Sequence, residues 1–175
     1  MIDLTRDMHW RQEEHDRLFH WDIFSLSKHD RLKHLTLHLA KYQGKYLASQ
    51  AAADDGKKFG TVVDALIVLL SMANVIGYKI KNSAEPSVGF SYDSIIIETS
   101  NLCKVIEALD HMESLDFRQE IQKAIEKLVY LWQVVPTDRA VTWNDMLARL
   151  EFIESKYFMY DHVIENYPHL KPISG

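Results

Sequence analysis

Cysteine is almost missing from this chain: Cys103 is the only one in 175 residues. That excludes an intramolecular disulfide and a thiolate metal cage. Six glycines and four prolines are too few for a turn-rich β protein and favour long helices. The sequence has no Gly-x-Ser-x-Gly elbow, no phosphate-binding glycine loop ending in Lys-Ser/Thr and no dinucleotide fingerprint. Its longest apolar stretch, Val62 to Ile76, is interrupted by Asp64, Ser71 and Asn74. That falls short of the roughly 20 apolar residues a membrane crossing needs, so no membrane partner is expected. The opening MIDLTRDMHW has neither a basic stretch nor an apolar core, so no secretory signal is read there and a cytoplasmic protein is expected.

What remains is ordinary for a globular protein. Apolar residues make up 47% and charged residues 26%, which excludes global disorder. The formal net charge of −5, with basic residues dispersed, argues against nucleic acid as a partner. The expected fold is a single all-α domain over residues 1–175, an antiparallel bundle of about six helices. A helical hairpin spans 28–80, a linker 82–92, a second hairpin 92–135, and a C-terminal helix 142–166.

Local signals place these elements. Residues 5–20 mix charges with Met8, Trp10, Leu18 and Phe19 and make only a weak amphipathic helix. Ser27 with Asp30 opens the next helix, along which Leu32, Leu35, Leu39, Tyr42 and Tyr46 recur at helical spacing until Asp54-Asp55-Gly56. Residues 58–78 are apolar nearly all round, as befits the middle of a bundle, and Gly77 is the expected stop. The linker holds Pro86, Gly89 and three serines. The run from Ser94 to Glu98 has three isoleucines in a row, yet Leu102, Val105, Ile106 and Leu109 extend it as a helix. Pro136-Thr137-Asp138 closes the helix before it, and Thr142 with Asp145 opens the last. Aligning the two hairpins gives four identities over about forty positions, so a tandem repeat is only a possibility.

The chemistry-bearing stretch is His34 to Ile80. His34, His38, Lys41 and Lys45 stand at steps of four, three and four and share one helix face. Asp64 lies within VVDALIVLL, where a carboxylate must be paired or hydrogen-bonded, and a lysine of the preceding helix is the simplest partner. LAKYQGKYLA (39–48), followed by TVVDALIVLLSMANVIGYKI (61–80), resembles the MazG-like all-α nucleoside triphosphate pyrophosphatases. The resemblance covers about 45 residues and rests on Gly44, Asp64, Ala73-Asn74 and Gly77. It implies a helical nucleotide pyrophosphohydrolase in which carboxylates hold Mg²⁺ against the triphosphate. Here Lys41, Tyr42 and Lys45 stand at the places of three of those glutamates, and Thr61 at the place of another. Lysines repel the metal they would neighbour.

Two functions follow. One is a degenerate pyrophosphohydrolase that binds a nucleotide or related phosphate compound, with weak or no hydrolysis. Its ligand-binding candidates are His38, Lys41, Lys45, Asp64 and Asn74, with Glu98 and Glu120 as contributors from the second hairpin. Asp64 alone remains as a weak metal candidate. The other is a helical interaction or assembly module, with a homo-oligomer (a dimer first) or a protein partner expected; the aromatic residues Phe152, Tyr157, Phe158, Tyr160 and Tyr167, some of which must be core, are its candidate surface. Gly44 and Asn74 also have packing explanations: close helix approach for the first, satisfaction of a buried polar group for the second. The dipeptides His15-Asp16 and His29-Asp30 are read as chance, since an HD-type site needs further ligands. Likewise His34 and His38 lack a third metal ligand at matching spacing. Cys103 is read as a buried small hydrophobe.

Overall fold

A computed structural model describes residues 6–81, 91–111 and 116–170. Most of the expected linker, the break at residues 114–115, Glu113 and the tail with Pro172 lie outside the described residues. Within them the chain is all-α, with helices α1 (Arg6–Phe19), α2 (Trp21–Phe24), α3 (Lys28–Ala51), α4 (Asp55–Val75), α5 (Tyr92–Asp110), α6 (Phe117–Val134), α7 (Trp143–Glu154) and α8 (Tyr160–Asn166), then a 3₁₀ turn, Pro168–Leu170.

The helix ends obey short-range chemistry. Side chains of Ser27, Asp54, Ser91, Asp116 and Thr142 each accept a backbone N–H at the start of α3 to α7. Thr142 and Asp145 do so reciprocally, as a capping box. At the end of α4, Gly77 takes a positive φ of 63°. Its N–H donates to the Asn74 carbonyl and that of Tyr78 to the Ala73 carbonyl, the paired bonds of a Schellman stop. The isoleucine run at 95–97 is helical, as its downstream pattern requires.

Helix α4 is the axis of the bundle. Ala65, Leu66, Leu69, Leu70, Met72 and Ala73 are completely buried, and each large aliphatic side chain among them contributes roughly 1.5–3 kcal/mol of burial. By length and composition α4 would suffice to cross a membrane, yet 78% of its most apolar window is buried inside the protein. The first hairpin, α3–α4, packs on the second, with α3 against α5 and α4 against α6. Helices α1 and α7 cover another side of α4. A small satellite core of Phe19, Val163, Ile164 and Leu170 ties the C-terminal segment to the end of α1.

Two expectations are corrected. The expected C-terminal helix over 142–166 is two helices, because the chain turns through residues 155–159 between α7 and α8. Helix α1 does not present the apolar set Met8, Trp10, Leu18 and Phe19. Its buried residues are Met8, His9, Gln12, Glu14, His15 and Phe19, while Trp10 is 54% exposed. That set is mostly polar, which is why hydropathy makes the helix look weak.

Candidate functional site

The three polar residues that interrupt the apolar run of α4 all find partners in neighbouring helices. Asp64 receives two hydrogen bonds from Arg149 of α7, Nε to Oδ1 at 2.6 Å and Nη2 to Oδ2 at 3.0 Å. Ser71 donates its hydroxyl to Asp16 of α1, whose other oxygen accepts from Gln12 Nε2 at 2.9 Å. Asn74 Nδ2 donates to the His9 carbonyl at 2.8 Å, and Asn74 Oδ1 lies 2.7 Å from His9 Nδ1. The Ile80 N–H donates to His9 Nε2 at 3.1 Å, so Nδ1 carries the proton and the ring is neutral. Burial lowers the His9 pKa in the same sense, with the Asn74 bond opposing and Lys79 reinforcing it.

The seam continues into α7. Glu154, 1% exposed, accepts from Arg11 Nη2 at 2.7 Å and sits 2.7 Å from His15 Nδ1. Burial raises its pKa, but the His15 bond and Arg11 outweigh this and hold it below the usual glutamate value.

A cavity of about 170 Å³ opens beside this seam, between α1, α2, α3 and α4. Its apolar wall includes Ile23, Phe24, Leu35, Ile67, Val68 and Ile153. Histidines 15, 20, 34 and 38 also line it, with Arg31 and Tyr42 from α3 and Asp64 from α4. The His34 and His38 rings are 4.5 Å apart, and those of His15 and His20 are 5.0 Å apart. Burial, followed by the charges of Lys41, His34, His20 and Lys45, lowers the His38 pKa to about 4. Tyr42 is pushed up to about 12 by burial and then by Asp64. Lys41 and Lys45 place their ammonium groups 4.7 Å and 5.5 Å from the centre of the Tyr42 ring.

The hairpin therefore brings His38, Tyr42 and Asp64 to one cavity, with Lys41 and Lys45 beside Tyr42. The other candidates lie elsewhere. Asn74 is absorbed in holding α1 to α4. Glu98 accepts from Lys127 at 3.4 Å and Glu120 pairs with Lys123 at 2.8 Å, and neither lines the cavity. The expected lysine partner of Asp64 is corrected to Arg149, because a planar guanidinium meets both carboxylate oxygens from α7. Gly44 does not serve close helix approach, since a Cβ there would meet nothing within 4 Å. Cys103 is exposed, one position off the buried face made by Glu98, Thr99, Leu102 and Ile106.

Sequence reasoning passed over Arg31, Arg149 and Gln12 of α1, and set aside His15 and Asp16 as a chance dipeptide. The one signal for them was the set of polar interruptions in α4, each of which demanded a partner. Magnesium does not fit this donor set. Both oxygens of Asp64 are taken by Arg149, both of Asp16 by Ser71 and Gln12, and Lys41 and Lys45 add positive charge nearby. Among the described residues, no group of three or more His, Cys, Asp or Glu side chains is arranged to hold a metal ion. Comparison of the chain with protein-family models, curated proteins and solved structures finds no match.

Proposed function

We propose that this chain is a MazG-like, pyrophosphohydrolase-related cytoplasmic protein that binds a nucleotide or other phosphate compound at α3 without metal-dependent hydrolysis. The observation that carries the reading is the arrangement around Asp64. A mixed polar and apolar cavity lies beside Asp64, and Arg149 neutralises that carboxylate. Lys41 and Lys45 then serve as point charges for phosphate oxygens, and His38, neutral at pH 7, serves as a hydrogen-bonding ring.

The test is thermal unfolding with nucleoside di- and triphosphates, with and without Mg²⁺. A ligand at about a hundred times its Kd adds nearly 3 kcal/mol of stability. The expected shift is the same with and without Mg²⁺ and is lost in Lys41→Glu/Lys45→Glu. Asp64→Asn is expected to lower stability by about 1–3 kcal/mol and to leave pyrophosphate release at background. A shift that needs Mg²⁺, or release abolished by Asp64→Asn, would overturn the metal-free reading.

One observation favours a second reading, a protein-interaction module that forms a homo-oligomer or docks a partner. Phe158, Trp21 and Phe152 are large apolar side chains left 86%, 62% and 49% exposed. Concentration-dependent sedimentation of wild type against Phe158→Ser tests it. Unchanged monomer behaviour in both would remove the oligomer.

A further inference from the structure

The unpaired charge on α3 extends beyond the two lysines. Arg31, His34, His38, Lys41 and Lys45 follow one another at steps of three, four, three and four. At 100° per residue they fall within an arc of about 80°, and at 1.5 Å per residue they run about 21 Å along the helix. Arg31, His34 and His38 are half-buried along the cavity mouth, while Lys41 and Lys45 are exposed beyond it.

None of the five makes an ion pair with an acid among the described residues. Acids are not scarce: 25 Asp and Glu face 20 Lys and Arg in the whole chain. Elsewhere on the surface cations find them, as Lys33 does with Asp110, Lys58 with Asp55 and Arg139 with Asp145. Beside this face of α3, Asp64 of α4 is occupied by Arg149. The like charges of Arg31, Lys41 and Lys45 are therefore left uncompensated. Aromatic rings keep them in place: the Arg31 guanidinium lies 4.4 Å from the centre of the Phe24 ring, and both lysines lie over Tyr42.

We propose that this face of α3 is a track for a linear phosphate chain longer than a triphosphate, a deepening that rests on Lys41 and Lys45 being phosphate ligands. Neighbouring members of the track are about 5–6 Å apart, so a triphosphate reaches across only one or two of the steps. A longer chain places successive phosphates against Lys45, Lys41 and Arg31, with the His38 and His34 rings between them as hydrogen-bonding groups, and relieves the repulsion between the two lysines. A phosphoanhydride chain fits better than a nucleic-acid strand. Strand binding without sequence preference uses exposed rings for base stacking, and the rings under this track, Phe24 and Tyr42, lie beneath the cations and are not exposed.

The experiment is titration calorimetry of the full chain at low salt with pyrophosphate, tripolyphosphate, a nucleoside triphosphate, a linear polyphosphate long enough to cover the track, and an oligothymidylate of matching length. The long polyphosphate is expected to bind at least about tenfold tighter than tripolyphosphate, the gain from one added charge-assisted contact. Its affinity should fall steeply with added salt. Arg31→Gln should remove that gain and leave tripolyphosphate binding unchanged, whereas Lys41→Glu/Lys45→Glu should weaken both. Circular dichroism confirms that each variant is folded. Equal affinity for tripolyphosphate and the long chain would overturn the track while leaving the nucleotide reading standing. Binding of the long chain with no nucleotide binding would do the reverse. Tighter binding of oligothymidylate than of polyphosphate would overturn the phosphate-chain assignment in favour of a nucleic-acid strand.

Discussion

Helix α4 meets its neighbours in two different ways. Toward α6 the contact is apolar: Ile121, Ala124, Ile125, Leu128, Val129, Leu131 and Trp132 are the buried residues of α6, all of them hydrophobic. Toward α1 and α7 the contact is a polar seam of Asp64–Arg149, Ser71–Asp16 and Asn74–His9, continued by Glu154 with Arg11 and His15. An apolar face tolerates small shifts, because burial has no direction. The seam tolerates none, because each group removed leaves another unpaired in a poorly solvated place. The seam therefore fixes where α1 sits, and with it one wall of the cavity.

The largest expected effect compares the two sides directly. Glu154→Ala, which strands Arg11 and His15, should cost about 3–5 kcal/mol, and Leu128→Ala about 2–5 kcal/mol through the cavity it leaves. The two losses should part company with pH. The Glu154 carboxylate has a folded pKa below its ordinary 4.5, so its contribution is present above that value and fades as pH falls through the folded pKa. In urea unfolding well below pH 4.5 the Glu154→Ala deficit should shrink, and the Leu128→Ala deficit should persist. Equal deficits at both pH values would mean that the seam is held by packing and not by charge.

A smaller effect belongs to His38. Its folded pKa of about 4 lies below the ordinary 6.5, so between these values the unfolded chain takes up a proton that the folded chain refuses. Its share of stability is full above about pH 6.5 and declines as pH falls toward 4. His38→Gln should flatten the melting temperature across that window. Because Lys41, His34, His20 and Lys45 all oppose the charge on His38, added polyphosphate should also flatten it in the wild type. A wild-type slope that survives His38→Gln would assign the effect to another group.

The smallest effect sharpens the role of Gly44. A Cβ at this mid-helical position meets no atom within 4 Å, so Gly44→Ala should stabilise the protein by about 0.5–1 kcal/mol. If phosphate binding weakened at the same time, the glycine would serve ligand approach. Destabilisation would mean that the surroundings of Gly44 are more crowded than the structure has them.

Much of this architecture was legible in the order of residues. Capping side chains, helical spacing and Gly77 mark where helices start and stop, because those bonds span a few residues and need no partner from afar. Of the candidate site, His38, Lys41 and Lys45 share a face by spacing alone, and Asp64 stood out as a charge in an apolar helix. The break at residues 155–159 was not legible, since neither proline nor glycine marks it. Nor was the polar face of α1, which looks like a solvated helix until the groups it answers are in place.

The sequence by itself determined an all-helical chain with α4 at its centre, because burial follows period and composition. Only the tertiary structure decided which side chain answers each buried polar group. Arg149 is 85 residues from Asp64, Glu154 is 139 from His15, and Asn74 is 65 from His9. A hydrogen bond needs direction and distance to within a few tenths of an ångström, and helical periodicity carries neither across separate helices. Arg149 therefore turned Asp64 into an ion pair and left Lys41 and Lys45 without an acidic partner among the described residues.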